Sequence, residues 1–430
     1  VKVLFVYPRF SRHAQHHPEL RDVVPMTEYL GSPSLGIASL AAVTPEGWEV
    51  EYRDDRVEPA DGPTDADVVA LSFFTPAATR ALELADRFRA QGRTVVAGGV
   101  FPSLMPDVVA PHVDAVVVGE GEPVWPALLA DARSGALKPR YQALQPQDLA
   151  GLPVPDLSVY FRAERPGFAP DDYPVQLSRG CPLSCAACAV PLSMTRELRP
   201  FPLEQVKGQL AQLGRAGKRA CLTEDTSWIP GRGMKLLSAL LQDLARDPDR
   251  PTVSYVGISM PMLLGAPRNL LQQAKAAGIN MFYLVCGFDP VSTKAFTGQD
   301  PRALEQARAA VAKAHDHGIE PYTSFLLGND DDDAGTVDRV LEFADRAPIR
   351  KAEFAIATPY PGTPRWHQLL AQDRITSRDW SRYNDANVVF RPSLMTEQQL
   401  LDGYLRLWRD FYGSRRHLAD LPQAQRTIQF

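Results

Sequence analysis

Long apolar runs are missing from this 430-residue chain: no stretch approaches the roughly 18 consecutive apolar residues that a membrane-spanning helix needs. A charge excess is missing as well. Lys plus Arg number 46 against 51 Asp plus Glu, a formal net charge of −5, which leaves no global field to gather a polyanion. Nucleic acid is therefore not an expected partner. Cysteine is scarce: five residues, an odd count in so long a chain, cannot form a disulfide framework. A dinucleotide fingerprint is absent too, since no G-x-G-x-x-G follows the first β-branched run. The start, Val1-Lys2-Val3-Leu4-Phe5-Val6-Tyr7-Pro8, is apolar over too short a stretch for a signal peptide. These absences lead us to expect a cytoplasmic enzyme in a reducing compartment.

What is present is an ordinary globular composition, 45% hydrophobic and 23% charged. The length exceeds the roughly 250 to 300 residues at which single cores stop growing, so several packed units are expected. In the first part, Val3–Tyr7, Glu49–Arg53, Val68–Phe73, Thr94–Ala97 and Ala115–Val118 read as strands. Between or after them, Leu35–Ala42, Arg80–Gln91 and Pro123–Arg133 read as helices. Alternation of this kind predicts a doubly wound parallel sheet, which binds ligands beyond its strand carboxyl ends. Prolines 139, 146, 153, 155, 166 and 170 then punctuate a predicted linker. A second series follows: strands at Val175–Ser178, Ala220–Thr223, Val253–Ile258, Met281–Cys286, Pro321–Leu327 and Ala352–Ala357, with five helices between them. Six strands and five helices predict a partial (β/α)6 barrel with chemistry at its carboxyl-end face. The fold class is thus α/β, ending in a mainly helical extension. We place the boundaries at 1–134, 135–172 (linker), 173–364 and 365–430.

Three of the five cysteines crowd into the loop that follows the first strand of the second series, as Cys181-Pro182-Leu183-Ser184-Cys185-Ala186-Ala187-Cys188. Three thiolates at C-x3-C-x2-C can hold three irons of a cubane cluster and leave the fourth iron open. Zinc is the alternative, but a structural zinc site closes with a fourth Cys or His, and no His lies between Cys188 and His315.

The stretch Ser178-Arg179-Gly180-Cys181 through Cys188 resembles the cluster loop of the radical S-adenosylmethionine superfamily. That resemblance implies a 4Fe–4S cluster on Cys181, Cys185 and Cys188 whose open iron chelates S-adenosylmethionine for reductive cleavage to an adenosyl radical. Ala187 departs from the pattern, in which an aromatic residue commonly precedes the third cysteine. Thr223-Glu224-Asp225-Thr226 resembles the acidic turn that meets the methionine amino group, implying Glu224 and Asp225 as contacts. Gly287-Phe288-Asp289 resembles a Gly-Ile-Glu segment with Asp289 in place of Glu, and Ser324 to Gly328 resembles the segment near adenine.

The first unit resembles the cobalamin-binding domain fused to one branch of that superfamily. The matching stretches are Ser34 and Leu35, then Ser72, Phe74 and Thr75, then Gly98, Gly99, Phe101 and Pro102, then Gly119, Glu120, Gly121 and Glu122. The loop Tyr7-Pro8-Arg9-Phe10-Ser11-Arg12-His13 lacks the D-x-H-x-x-G motif that supplies a cobalt-ligating His elsewhere, so Arg9 or Phe10 is expected at that face. Toward the C-terminus, Thr358 to Pro364, Arg378 to Tyr383 and Val388 to Pro392 resemble members that methylate hopanoids and antibiotic precursors. The resemblance therefore implies a C-methyltransferase using cobalamin, S-adenosylmethionine and a 4Fe–4S cluster. Its substrate would be a small molecule or lipid, and its electrons would come from a partner such as flavodoxin or ferredoxin. Oxidation, cyclisation or rearrangement with the same cofactors stays open, as does a non-catalytic cobalamin sensor with a structural cluster.

Other features are expected to be plain. Asp330 to Asp333 reads as a solvated helix start, His13, His16 and His17 as a surface loop, and Cys221 and Cys286 as small buried hydrophobes. Tyr404, Trp408 and Tyr412, spaced by four, share one helix face and read as core packing.

Overall fold

The computed structural model describes residues 1–23, 31–166, 170, 172–222, 226–287, 290–297 and 300–413. Its first sheet comprises β1 (Lys2–Tyr7), β2 (Glu49–Asp54), β3 (Val68–Ser72), β4 (Thr94–Gly98), β5 (Ala115–Val118) and β6 (Arg140–Gln142). All neighbours are parallel, in the order β2-β1-β3-β4-β5-β6. A run such as Val68-Val69-Ala70-Leu71 is apolar at every position because both faces of a helix-covered parallel sheet are buried. Alternate residues accordingly enter two cores: Phe5, Ala70, Val96 and Val117 on one face, Leu4, Val69, Val95 and Val116 on the other. Strand order reverses between β1 and β3, the position at which such sheets open a crevice for ligands.

The second sheet runs β14-β13-β12-β11-β10-β7, also parallel. Its strands are β7 (Tyr173–Val175), β10 (Ala220–Leu222), β11 (Val253–Ser259), β12 (Met281–Cys286), β13 (Glu320–Leu327) and β14 (Lys351–Ile356). Here the order never reverses, so the sheet curls into an open (β/α)6 barrel. Phe282, Leu284 and Cys286 of β12 lie in the core, while the alternate residues Tyr283 and Val285 are on the opposite, half-exposed face. Helix 397–413 covers the β14 edge, where the Tyr412 hydroxyl accepts the Ala352 N–H at 3.0 Å. Tyr404 and Trp408 are fully buried and Tyr412 nearly so, as their spacing predicted. No helix among the described residues is long and apolar enough to cross a membrane.

Four expectations are corrected. The first strand of the second series lies at Tyr173–Val175 rather than Val175–Ser178; Pro174, which cannot donate to a ladder, is tolerated because β7 is an edge. Ser178–Arg179 instead forms a short antiparallel ribbon, β8, with β9 (Arg199–Pro200). The 135–172 stretch is more than a connector: it supplies β6 to the first sheet and buries Tyr160, whose hydroxyl accepts the Ala38 N–H at 3.0 Å and donates to the Ser34 carbonyl. Tyr160 contacts both Tyr52 and Tyr173, so one apolar core runs from the first unit into the second. His17 is not on a surface loop, since its Nε2–H donates to the Ala386 carbonyl at 2.6 Å.

The fourth correction is the aspartate run. Asp330 pairs with Arg365 at 2.5 Å and Arg374 at 2.8 Å and thereby binds the C-terminal extension; burial opposes its charge, but the two guanidinium groups hold its carboxyl well below the usual range. Asp332 is 3% exposed and accepts the N–H groups of Gly328 (2.8 Å) and Asn329 (2.9 Å). Burial outweighs those bonds and pushes its carboxyl up to about 6 from 3.8. A folded value above the unfolded one favours the protonated form, so the stability Asp332 contributes is complete below about pH 4 and is lost as pH rises through 6. Asp332→Asn keeps the acceptor and removes the titration. Relative to the native chain, the variant should gain about 2 kcal/mol between pH 4 and pH 7, measured by urea unfolding at several pH values. A difference that does not change with pH would refute this account.

Candidate functional site

A cavity of about 390 Å³ opens at the carboxyl ends of β1, β3, β4 and β5. Phe5, Ala70, Val96, Val117 and Trp125 make an apolar floor, and Ser34, Ser72, Gly98, Gly99 and residues 119–122 make a rim of small and polar groups. The far wall belongs to the second unit, through Gln176, Arg179, Ser193 and Met194. Gly99 is required where it stands: its φ is +102°, and a Cβ there would lie 2.7 Å from the Phe73 carbonyl oxygen. Ser103 ties two rim loops together, its hydroxyl donating to the Gly99 carbonyl (2.7 Å) and accepting the Gly119 N–H (2.9 Å). An apolar floor beneath exposed backbone and hydroxyls suits a ligand with an apolar body and polar substituents.

Of the residues expected around cobalamin, Ser34, Leu35, Ser72, Phe74, Gly98, Gly99 and residues 119–122 line this cavity. Thr75, Phe101 and Pro102 do not; all three are buried, and Phe101 packs on Phe73 and Trp380. Arg9 and Phe10 are not among the residues that line the cavity either. Arg9 is 57% exposed at its side chain and turns toward Asp55, while Phe10 stacks edge-on against Phe74 at 4.6 Å, leaving Phe74 itself to face the cavity.

The cysteine loop hangs from the β8–β9 ribbon beside the cavity. Gly180 turns the chain with φ +79°, because any Cβ would overlap the Glu197 carbonyl. The Cys181 N–H then donates to the Thr195 carbonyl at 3.0 Å, and the Cys188 N–H to the Cys185 carbonyl at 3.2 Å. Cys181 is buried and the other two are half-buried; all five cysteines are thiols. Among the described residues no three Cys, His, Asp or Glu side chains gather around one ion position. A cubane does not require that, because each thiolate takes a different iron, whereas zinc draws its ligands to about 2 Å from a single point. Cys221 and Cys286 are fully buried, and burial, with Asp172 nearby, pushes the Cys221 thiol well up.

Arg179, two residues before Cys181, was not anticipated although it sits in the motif. Its guanidinium pairs with Glu120 at 3.0 Å and Glu122 at 2.6 Å, and Arg199 pairs with Glu120 at 3.0 Å. Burial alone would raise the Glu120 carboxyl, but Arg199, the Gln147 N–H and Arg179 hold it below its ordinary value.

Within the barrel, Ser324 (7% exposed) is register partner to Val285 and Glu353. Around it stands a polar cluster: Tyr283 and Tyr322 donate to Glu353 at 3.3 and 3.2 Å, and Tyr360 donates to Asp385 at 2.7 Å. Arg12 reaches across from the first unit to Glu353 (3.4 Å) and Asp385 (3.1 Å). Desolvation would lower its pKa, and the two carboxylates overcome that and raise it. Gly328, at the end of β13, is held by Asp332. Glu224, Asp225 and Asp289 lie outside the described residues.

Residues 29–129 match the family model described as the B12 binding domain. Over 391 residues the chain is 26% identical to the bacteriochlorophyllide d C-12(1)-methyltransferase of Chlorobaculum tepidum, covering 89% of this chain and 83% of that one. Its fold is that of the radical S-adenosylmethionine methyltransferase TsrM from Kitasatospora setae, solved with cobalamin and a 4Fe–4S cluster bound (TM-score 0.62, 17% identity, 86% of this chain and 78% of that one). It likewise matches the cobalamin-dependent S-adenosylmethionine radical enzyme OxsB with aqua-cobalamin bound (TM-score 0.68, 14% identity, 95% and 67%).

Proposed function

We propose that this chain is a cobalamin-dependent radical S-adenosylmethionine methyltransferase acting on a carbon of a small-molecule or lipid biosynthetic intermediate. One observation carries the reading: the cavity at the switch point of the first sheet has as its far wall the stem of the three-cysteine loop. Two sites suited to different cofactors therefore share a boundary, as a reaction using both requires. The B12 binding domain match over residues 29–129 and the methyltransferase relative support the same reading.

When bound, the cluster with S-adenosylmethionine supplies a carbon-centred radical and cobalamin supplies a transferable methyl group. The chain supplies position and enclosure. Cys181, Cys185 and Cys188 would hold three irons, and the apolar floor from Phe5 to Trp125 keeps water from one side of the cavity. Ser324 and the Tyr283–Glu353 pair line the barrel side, where fixed hydrogen-bonding groups can orient a polar substrate. In this reading the electron donor is a reduced flavodoxin- or ferredoxin-type protein, the compartment is the cytoplasm, and no nucleic acid takes part; the near-neutral charge balance supports the last point.

The test is anaerobic. Cluster-reconstituted, cobalamin-loaded protein is incubated with dithionite and S-adenosylmethionine carrying a trideuteromethyl group, and cobalamin and nucleosides are extracted. Label on cobalamin together with 5′-deoxyadenosine is the expected result. Deoxyadenosine with no labelled cobalamin would favour oxidation or cyclisation without methyl transfer, and neither product would favour a sensor.

A further inference from the structure

The ribbon from which the cysteine loop hangs is electrostatically incomplete by itself. Arg179 and Arg199 are direct cross-strand partners in a pairing only two residues long, and like charges opposite each other destabilise an antiparallel pair. So short a ribbon has little else to hold it. The missing counter-charge comes from the rim of the cavity in the first unit. Glu120 Oε1 accepts from Arg179 at 3.0 Å and from Arg199 at 3.1 Å, its Oε2 accepts from Arg199 at 3.0 Å, and Glu122 accepts from Arg179 at 2.6 Å. Two acids and two bases balance, and their side chains are between 5% and 12% exposed. Arg179 Nε also donates to Gln176, another cavity-lining residue, at 3.2 Å.

This placement makes the bridge more than a clamp. Glu120, Glu122 and Arg179 themselves face the cavity, and Arg179 is one glycine away from the buried Cys181. A ligand that settles residues 119–122 also settles the guanidinium between them, and with it the turn that sets the first thiolate. We propose that the Glu120–Arg179–Glu122 bridge couples the two cofactor sites, so that filling the cavity tightens S-adenosylmethionine binding at the cluster loop. The coupling rests on the cofactor assignment above. It is reciprocal by thermodynamic necessity: each ligand must change the other's affinity by the same factor.

The experiment uses full-length, cluster-reconstituted protein. The dissociation constant of S-adenosylmethionine is measured with and without saturating hydroxocobalamin, and that of hydroxocobalamin with and without S-adenosylmethionine. Native protein should show the same factor both ways, at least about fivefold. Glu122→Gln, which keeps the shape but removes one charge, should bring both factors close to one while iron content stays native. Arg179→Lys, which keeps the cation but cannot bridge two carboxylates in the same way, should do the same and carries the test if Glu122→Gln loses its cluster. A merely structural clamp predicts weaker binding of both ligands with the native factor preserved, and that outcome would overturn the proposal. So would a native factor of one with both ligands bound. Native protein that binds neither ligand would instead refute the cofactor assignment, and the coupling would fall with it.

Discussion

The combined Cys181→Ala, Cys185→Ala and Cys188→Ala variant should emerge from anaerobic reconstitution without bound iron or sulfide and without the broad visible absorbance of a cluster. The expected loss is complete because, in the proposed assignment, these three thiolates are the protein's ligands and the two remaining cysteines cannot substitute. Cys221 and Cys286 are fully buried in the second sheet, and burial pushes the Cys221 thiol up, away from the thiolate that iron needs. The fold should survive. Cys185 and Cys188 are half-buried on a turn, and trimming the buried Cys181 to Ala costs about 1 kcal/mol by analogy with other small core truncations. The loop's stem, held by Glu120 between Arg179 and Arg199, is untouched. Iron and sulfide analysis checks the expectation, with far-UV circular dichroism as the folding control. A full cluster in the triple variant would remove the basis of the assignment, and stoichiometric zinc without iron in native protein would favour a single-ion site.

The cysteine loop was legible because its three cysteines fall within eight residues and need no knowledge of the fold to be read together. The strands were legible for a related reason: Val68-Val69-Ala70-Leu71 and Met281 to Cys286 carry their burial in local composition, and the second matched its observed bounds. Pairings across the chain were not legible. Arg12 meets Glu353 across 341 positions, and Arg179 meets Glu120 across 59; nothing local marks an arginine as the partner of a particular distant carboxylate. Asp332 misled for the opposite reason. Four consecutive aspartates read as a hydrated surface, yet one of them turns inward to cap the Gly328 loop while its neighbour Asp330 holds Arg365 and Arg374. Prolines between 139 and 170 pointed to a connector, but gave no sign that Arg140–Gln142 would join the first sheet or that Tyr160 would anchor Ser34 at the cavity rim.

Substituting two adjacent glycines should separate ligand binding from stability. Gly98 and Gly99 both line the cavity, but they stand there for different reasons. At Gly98 a Cβ would meet Val117 Cβ at 3.5 Å, an ordinary contact, and the backbone is not in the left-handed region. A larger side chain is therefore tolerated by the fold and extends over the same sheet face as Val96 and Val117, into space a ligand would use. Gly98→Leu should leave the unfolding midpoint within a few degrees of native. It should weaken hydroxocobalamin binding on the order of 100-fold, the equivalent of about 3 kcal/mol of steric conflict. At Gly99 the obstacle is the backbone itself, with φ +102° and the Phe73 carbonyl 2.7 Å from any Cβ. Gly99→Ala should lower stability by about 1 to 3 kcal/mol even without ligand, because strain at such a φ is present in the empty protein. Equilibrium unfolding and cobalamin titration of both variants read the two effects independently. Native affinity in Gly98→Leu would mean that the cavity is not where cobalamin binds, and native stability in Gly99→Ala would mean that the Gly99 loop relaxes more readily than its contact with Phe73 allows.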